Sequence, residues 1–101
     1  MLMAYIAGPY TARTREGVYE NIARARAVAL KYWWLGYAVI CPHTNTGGYE
    51  SEFSEECLMR GDLEFLKRCD LIVMMKGWQT SVGATAELEF ARQHNIFVIF
   101  E

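Results

Sequence analysis

The sequence is short of several things, and each shortage excludes something. It has two prolines, three cysteines and two histidines in 101 residues. Three cysteines are an odd number without metal-type pairing, so neither a disulfide framework nor a zinc module is expected. A reducing, cytoplasmic setting is the expectation that goes with them. There is no basic tract, and the formal net charge is -2. That balance argues against a nucleic-acid polymer or an anionic membrane surface as partner. No apolar run approaches the roughly 20 residues of a membrane-spanning helix. The apolar opening Met1 to Ala7 is too short for a signal peptide and lacks its basic lead. Linkers, repeats and low-complexity segments are missing, so one domain over 1–101 is expected. Neither a GxGxxG fingerprint nor a P-loop occurs, which argues against a dinucleotide or an Mg²⁺-triphosphate site of those kinds.

What is present is a hydrophobic fraction of 52%, enough to build a core at this length. Four short apolar runs alternate with helix-like stretches. Met3 to Ala7 reads as strand one, stopped by Gly8-Pro9. Gly17 to Leu35 reads as a helix, with Val18, Ile22, Ala25, Ala29 and Tyr32 at three- and four-residue spacing and Gly36 just past its end. Tyr37 to Cys41 is strand two. Thr44 to Phe53 reads as a long polar loop. Ser54 is a candidate cap for a helix reaching about Arg68, and Asp70 a candidate cap of the turn into strand three, Leu71 to Met75. Val82 to His94 is the last helix, stopped by Asn95, and Ile96 to Phe100 is strand four.

Continuous apolar strands alternating with helices indicate a parallel sheet covered on both faces. Right-handed crossovers leave few arrangements. The expected fold is a three-layer α/β/α domain, flavodoxin-like or Rossmann-like, with four parallel strands in the order 2-1-3-4. Its topological switch falls between strands one and three, where open α/β sheets bind ligands. The loops there are Gly8 to Glu16 and Lys76 to Ser81.

Ser81-Val82-Gly83-Ala84-Thr85-Ala86-Glu87 follows strand three directly. It places a small-residue turn, a helix start and one carboxylate at the carboxyl end of the sheet. Gly83 lies four residues before Glu87 on the same helix face, leaving space beside the carboxylate. Two readings of Glu87 stand on spacing alone: a nucleophile or base for glycosyl chemistry, or a solvated helix residue beside Glu89. Ser81 serves as an N-cap, and the same helix end attracts an anion. Gly8, Pro9, Tyr10 and Thr11 form a turn that lets a ligand approach the backbone, with Arg13 and Arg15 available for a phosphate. Asp62 is a surface acid or a site acid; Asp62 and Glu64 cannot both face inward. His43 and Asn45 follow strand two at the ligand-binding edge. Trp33-Trp34 exceeds what one helix face needs for a small core, which leaves two readings: at least one is exposed at a subunit contact, or both pack in the core.

These motifs together resemble the nucleoside 2-deoxyribosyltransferase-like superfamily, in particular a small bacterial and phage branch near the 2′-deoxynucleoside 5′-monophosphate N-glycosidases. The carrying residues are Tyr5-Ile6-Ala7-Gly8-Pro9-Tyr10, Cys41-Pro42-His43-Thr44-Asn45, Asp62-Leu63-Glu64-Phe65-Leu66 with Cys69-Asp70, and Gly77-Trp78 through Ser81-Val82-Gly83 to Glu87. The resemblance implies that Glu87 attacks the anomeric carbon and Asp62 helps protonate the departing base. It implies that Tyr10 supports the glutamate and the sugar. Ser81 corresponds to a serine that contacts the 5′-phosphate in the monophosphate hydrolases. Gly8, Pro9, Thr11, His43, Asn45, Trp78 and Gly83 are the further candidate substrate contacts. The first loop departs from the hydrolases' Gly-Ser and Arg-Gly-Gly type, and Glu89 replaces a glycine that often follows the Glu-Leu pair. The implied protein is a homodimer or higher homo-oligomer that takes a nucleotide or nucleoside, whose neighbouring subunits complete each site, and which needs no metal or organic cofactor. The alternatives on the same fold are a non-catalytic nucleotide-binding or signalling module and a purely structural domain.

Overall fold

A computed structural model describes residues 1–101. Four strands form one parallel sheet in the order β2-β1-β3-β4: β1 Met3–Ala7, β2 Ala38–Ile40, β3 Leu71–Met74 and β4 Phe97–Phe100. Four helices connect and flank them: α1 Arg15–Trp34, the short α2 Pro42–Asn45, α3 Glu55–Lys67 and α4 Val82–Gln93. The expected strand order and α/β architecture are those observed.

The two faces of the sheet carry two separate cores. Because strand side chains alternate, Tyr5 and Ala7 of β1 and Ile72 and Met74 of β3 point one way. There they meet Leu66 of α3 and Ala84, Leu88 and Ala91 of α4. Ala4, Ile6, Leu71, Val73 and Met75 point the other way, onto Ala25, Ala29 and Tyr32 of α1. The central strands are buried on both faces, which is why their sequences are continuously apolar. Each fully buried side chain such as Ile6, Ile72 or Leu66 contributes roughly 1.5–3 kcal/mol. A single long helix covers the second face. Only Ala25, Ala29 and Tyr32 of α1 are buried, so most of its surface faces outward.

Apart from one-residue shifts at the ends of other elements, the structure differs from the sequence expectation in four places. Helix α1 begins at Arg15 rather than Gly17, because the Thr14 hydroxyl accepts from the Gly17 N–H at 3.0 Å and caps the helix two residues earlier. Strand β2 is shorter, at three residues. The stretch from Thr44 to Phe53 is not all loop: Thr44 and Asn45 belong to α2, and Tyr49–Ser51 makes a 3-10 turn. Asp70 does not cap its own turn; its Oδ2 accepts from the Met3 N–H at 2.7 Å, fixing the start of β1 beside β3. Gly36 and Asn95, with φ of 96° and 58°, end α1 and α4 in the left-handed conformation.

Gly8 is set by close approach. A Cβ there would lie 2.6 Å from Met75 Sδ and 2.8 Å from Met75 Cβ. The chain leaving β1 therefore runs directly against the end of β3, and only glycine fits. This seam is the topological switch of the sheet.

No helix is long and apolar enough to cross a membrane.

Candidate active site

At the carboxyl ends of β1 and β3 lies an open cavity of about 490 Å³. Ile6, Gly8, Tyr10 and Thr11 line it from β1 and the loop that follows. Pro42, His43 and Thr46 come from the region of α2. Glu50, Phe53, Ser54, Glu55, Leu58, Met59 and Asp62 come from the segment leading into and along α3. Thr80, Ser81, Val82, Gly83, Ala84 and Glu87 come from the start of α4. Four carboxyl groups are among them, those of Glu50, Glu55, Asp62 and Glu87, and no lysine or arginine.

Glu87 is the deepest of the four, with 6% of its surface exposed. Its place follows from the local chain. Ser81 caps α4 by accepting from the Ala84 N–H at 3.1 Å, which starts the helix and turns Glu87 inward one and a half turns later. Glu87 shares this buried face with Ala84, Leu88 and Ala91. A buried carboxyl needs a partner, and it has one: the phenol of Tyr5, from the central strand, donates to Oε2. Burial raises the Glu87 pKa to about 8; the Tyr5 hydrogen bond opposes that shift and the neighbouring Asp62 charge adds to it. Burial likewise pushes the Tyr5 phenol well above its usual value, with the Glu87 and Asp62 charges adding to it.

Asp62 lies on α3, half-buried at the same cavity, and burial lifts its pKa to about 6. Glu64, two residues on, faces solvent and pairs with Arg68 at 2.8 Å. The pattern rule that only one of the two acids faces inward is therefore met by Asp62. Gly83 also lines the cavity, where a Cβ would stand 3.2 Å from the Met59 Cε.

The first loop is arranged differently from the expectation. The hydroxyl that reaches Glu87 belongs to Tyr5 and not to Tyr10. Tyr10 donates instead to a carboxylate oxygen of Glu50, and the Gly48 N–H donates to the Tyr10 hydroxyl at 3.3 Å. His43 is buried, and its Nε2 lies 2.9 Å from the Pro9 carbonyl. A carbonyl only accepts, so Nε2 carries the proton. Burial lowers the His43 pKa, which keeps the ring neutral. Its role in the structure is to tie the loop after β2 to the loop after β1.

Of the residues singled out by sequence, Glu87, Asp62, Tyr10, Gly8, Thr11, His43, Ser81 and Gly83 line one cavity. Three do not. Pro9 meets it only through its hydrogen bond to His43. Asn45 ends α2 on the exposed surface. Trp78 packs its ring 5.9 Å from that of Phe100, in the aromatic group beside β4. Arg13 and Arg15 are outside the cavity as well. Sequence reasoning passed over Tyr5 and Glu50. Tyr5 carried a signal: a phenol in a buried strand requires a polar partner. Glu50, inside a polar loop, carried none. No group of three or more His, Cys, Asp or Glu side chains is placed to hold a metal ion.

Similar architecture occurs in solved structures. The 2-deoxyribosyltransferase of Bacillus psychrosaccharolyticus superposes with a TM-score of 0.69 at 22% identity, over 97% of this chain and 70% of that one. The 2-desoxiribosyltransferase of Leishmania mexicana superposes with a TM-score of 0.62 at 18% identity, over 99% of this chain. This chain spans 63% of that enzyme's length. At these identities the likeness establishes the fold. No curated protein matches the sequence. A family match extends over residues 2–100, and by it the chain belongs to DUF4406, described as a domain of unknown function.

Proposed function

We propose that this domain cleaves or transfers the N-glycosidic bond of a (deoxy)nucleoside 5′-monophosphate through a glutamyl-glycosyl intermediate. The observation that carries the proposal is the Glu87 carboxyl: buried, gripped by the Tyr5 phenol, and opening on the same cavity as a second acid, Asp62. The fold shared with two deoxyribosyltransferases supports it.

In this mechanism a Glu87 carboxylate oxygen attacks the anomeric carbon as the bond from that carbon to the base breaks. The bonding pair leaves with the base nitrogen, and the Asp62 carboxyl gives the base its proton. Water then attacks the anomeric carbon, releasing Glu87 and returning a proton to Asp62; a second base in place of water makes the reaction a transfer. The productive form holds Glu87 ionised and Asp62 protonated. Burial lifts both acids above their ordinary values, Glu87 to about 8 and Asp62 to about 6, so the pair exchanges protons near neutrality.

Ser81 stands at the cavity edge as the cap of α4. The positive end of that helix suits a 5′-phosphate there. Subunit association is part of the same proposal. Trp33 and Trp34 are 52% and 83% exposed on α1, two adjacent aromatic side chains available for a subunit contact.

The direct test incubates the protein with a panel of deoxynucleosides and their 5′-monophosphates and follows free base by chromatography. Release by the wild type that is lost in Glu87→Gln and reduced in Asp62→Asn is the expected result. Intact substrates in every case, or unchanged release by Glu87→Gln, would remove the catalytic assignment.

A further inference from the structure

The acid-lined cavity does not end at Tyr10. On the far side of Tyr10 and Glu50 a second groove, of about 790 Å³, runs between α1 and the Gly47-Gly48 turn. The two share Tyr10, Thr11, His43 and Glu50, so they are one continuous depression divided by the Tyr10–Glu50 hydrogen bond.

Their charges are opposite. The cavity has four carboxyl groups and no cation. The groove has two guanidinium groups, Arg15 and Arg26, against the single carboxylate of Glu50. Arg15, Tyr19, Ile22 and Arg26 follow one another at spacings of four, three and four, which puts them on one face of α1. Neither arginine is committed elsewhere: the ion pairs of the chain are Lys31–Glu101 and Arg68–Glu64. Arg24, by contrast, is turned away to donate to the Lys76 carbonyl at 3.0 Å. Gly47 borders the groove, and its backbone N–H bonds to no other group of the chain.

We propose that this groove binds the polyphosphate portion of a nucleotide whose sugar lies over Glu87. The inference rests on the proposed glycosidic reading for the sugar and stands by itself for the anion. Beyond the 5′-phosphate taken at Ser81, a phosphate chain kept inside the cavity meets the carboxylates of Glu50, Glu55 and Asp62; across Tyr10 it meets two planar cations suited to bidentate phosphate contact. Arg15 and Arg26, eleven positions apart, stand roughly 16 Å apart along the helix axis. Two long side chains reaching inward from that separation can share a chain of phosphates more readily than a single one. The predicted ligand is therefore a nucleoside di- or triphosphate, with its 5′-phosphate at Ser81 as in the monophosphate reading and its outer phosphates across Tyr10 in the groove, held without a P-loop.

The test is titration calorimetry of the whole chain with sodium pyrophosphate and tripolyphosphate, which carry no sugar and so report on the groove whether or not Glu87 reacts. Tripolyphosphate should bind more tightly than pyrophosphate, and more weakly as salt is raised. Arg15→Ala and Arg26→Ala should each weaken binding about tenfold, as expected for a lost charge-assisted hydrogen bond. Arg15→Lys should retain part of the affinity, and Arg92→Ala, on α4 outside the groove, all of it. In a parallel series, a deoxynucleoside triphosphate should bind the wild type more tightly than its monophosphate. Absence of polyphosphate binding, equal binding by the Arg15→Ala/Arg26→Ala double variant, or no gain from mono- to triphosphate would each overturn the inference.

Discussion

Tyr5 and Glu87, separated by 82 positions in the chain, meet in a buried hydrogen bond between the central strand and the last flanking helix. The phenol belongs to a strand paired on both sides, Tyr5 with Ile40 of β2 and with Ile72 of β3. The carboxyl group is thereby attached to the best-supported segment of the sheet. Removing the hydroxyl in Tyr5→Phe leaves a buried carboxyl oxygen without its donor. The expected result is a further upward shift of the Glu87 pKa, since the Tyr5 bond is what opposes burial. Base release should fall by about tenfold to a hundredfold. The alkaline limb of the pH–rate profile should move to higher pH in the variant, with the acid limb unchanged.

Stability should depend on pH with a sign opposite to that of most acids. The folded pKa values of Glu87 and Asp62, about 8 and about 6, lie above the ordinary values of 4.5 and 3.8. The folded state therefore holds protons that the unfolded chain releases. The stabilising contribution is complete below about pH 4 and is lost as pH rises through about 6 and then about 8. For Glu87 the loss is on the order of a few kcal/mol. Urea denaturation between pH 5 and 9 checks this. Glu87→Gln, which cannot ionise, should flatten most of the slope and exceed the wild type in stability at pH 9.

Base release should follow a bell centred between about 6 and about 8, the values belonging to the Asp62–Glu87 pair rather than to either acid alone. Asp62→Asn should remove one limb. A rate that rises steadily from pH 5 to pH 10 would contradict the two-acid mechanism.

Two glycines near the site should behave differently. Gly8→Ala drives a Cβ to within 2.8 Å of Met75 Cβ, which cannot rotate away. It should cost about 1–3 kcal/mol by overpacking the β1–β3 seam, visible as a lower melting temperature. Gly83→Ala meets only the flexible end of Met59, at 3.2 Å. Its effect should appear in KM, through a narrower cavity, with stability nearly unchanged.

Trp34 is the most exposed aromatic of α1. Under the proposed association, Trp33→Ser/Trp34→Ser should lower the mass measured by light scattering while leaving the circular dichroism spectrum intact.

The architecture was legible in the sequence because the central strands β1 and β3, buried on both faces, are continuously apolar and each leads to a helix with a side-chain cap, Thr14 or Ser81. The β1, β3 and β4 runs needed no further information. What the sequence obscured was local competition. Gly17 looked like a helix boundary, although the Thr14 hydroxyl supplies the cap. At the site, Glu87, Ser81 and Gly83 were legible because they lie within one short segment at a strand end. The Tyr5–Glu87 and Tyr10–Glu50 pairs were not, since each joins segments brought together only by folding. Two tyrosines five residues apart offered the same hydroxyl, and strand alternation, not motif position, decides which one reaches the carboxyl.

That alternation gives the proposed chemistry a strict geometric condition. Tyr5 faces α4 because β1 pairs in one register; Ala4 and Ile6, its neighbours, face α1. A slip of β1 by one residue would exchange the two sets. Such a molecule could keep its strands, its helices and much of its burial, yet would carry the phenol to the wrong side of the sheet and leave Glu87 without its donor. Under the proposed mechanism, base release would thus report on strand alignment at a resolution that secondary-structure content does not reach.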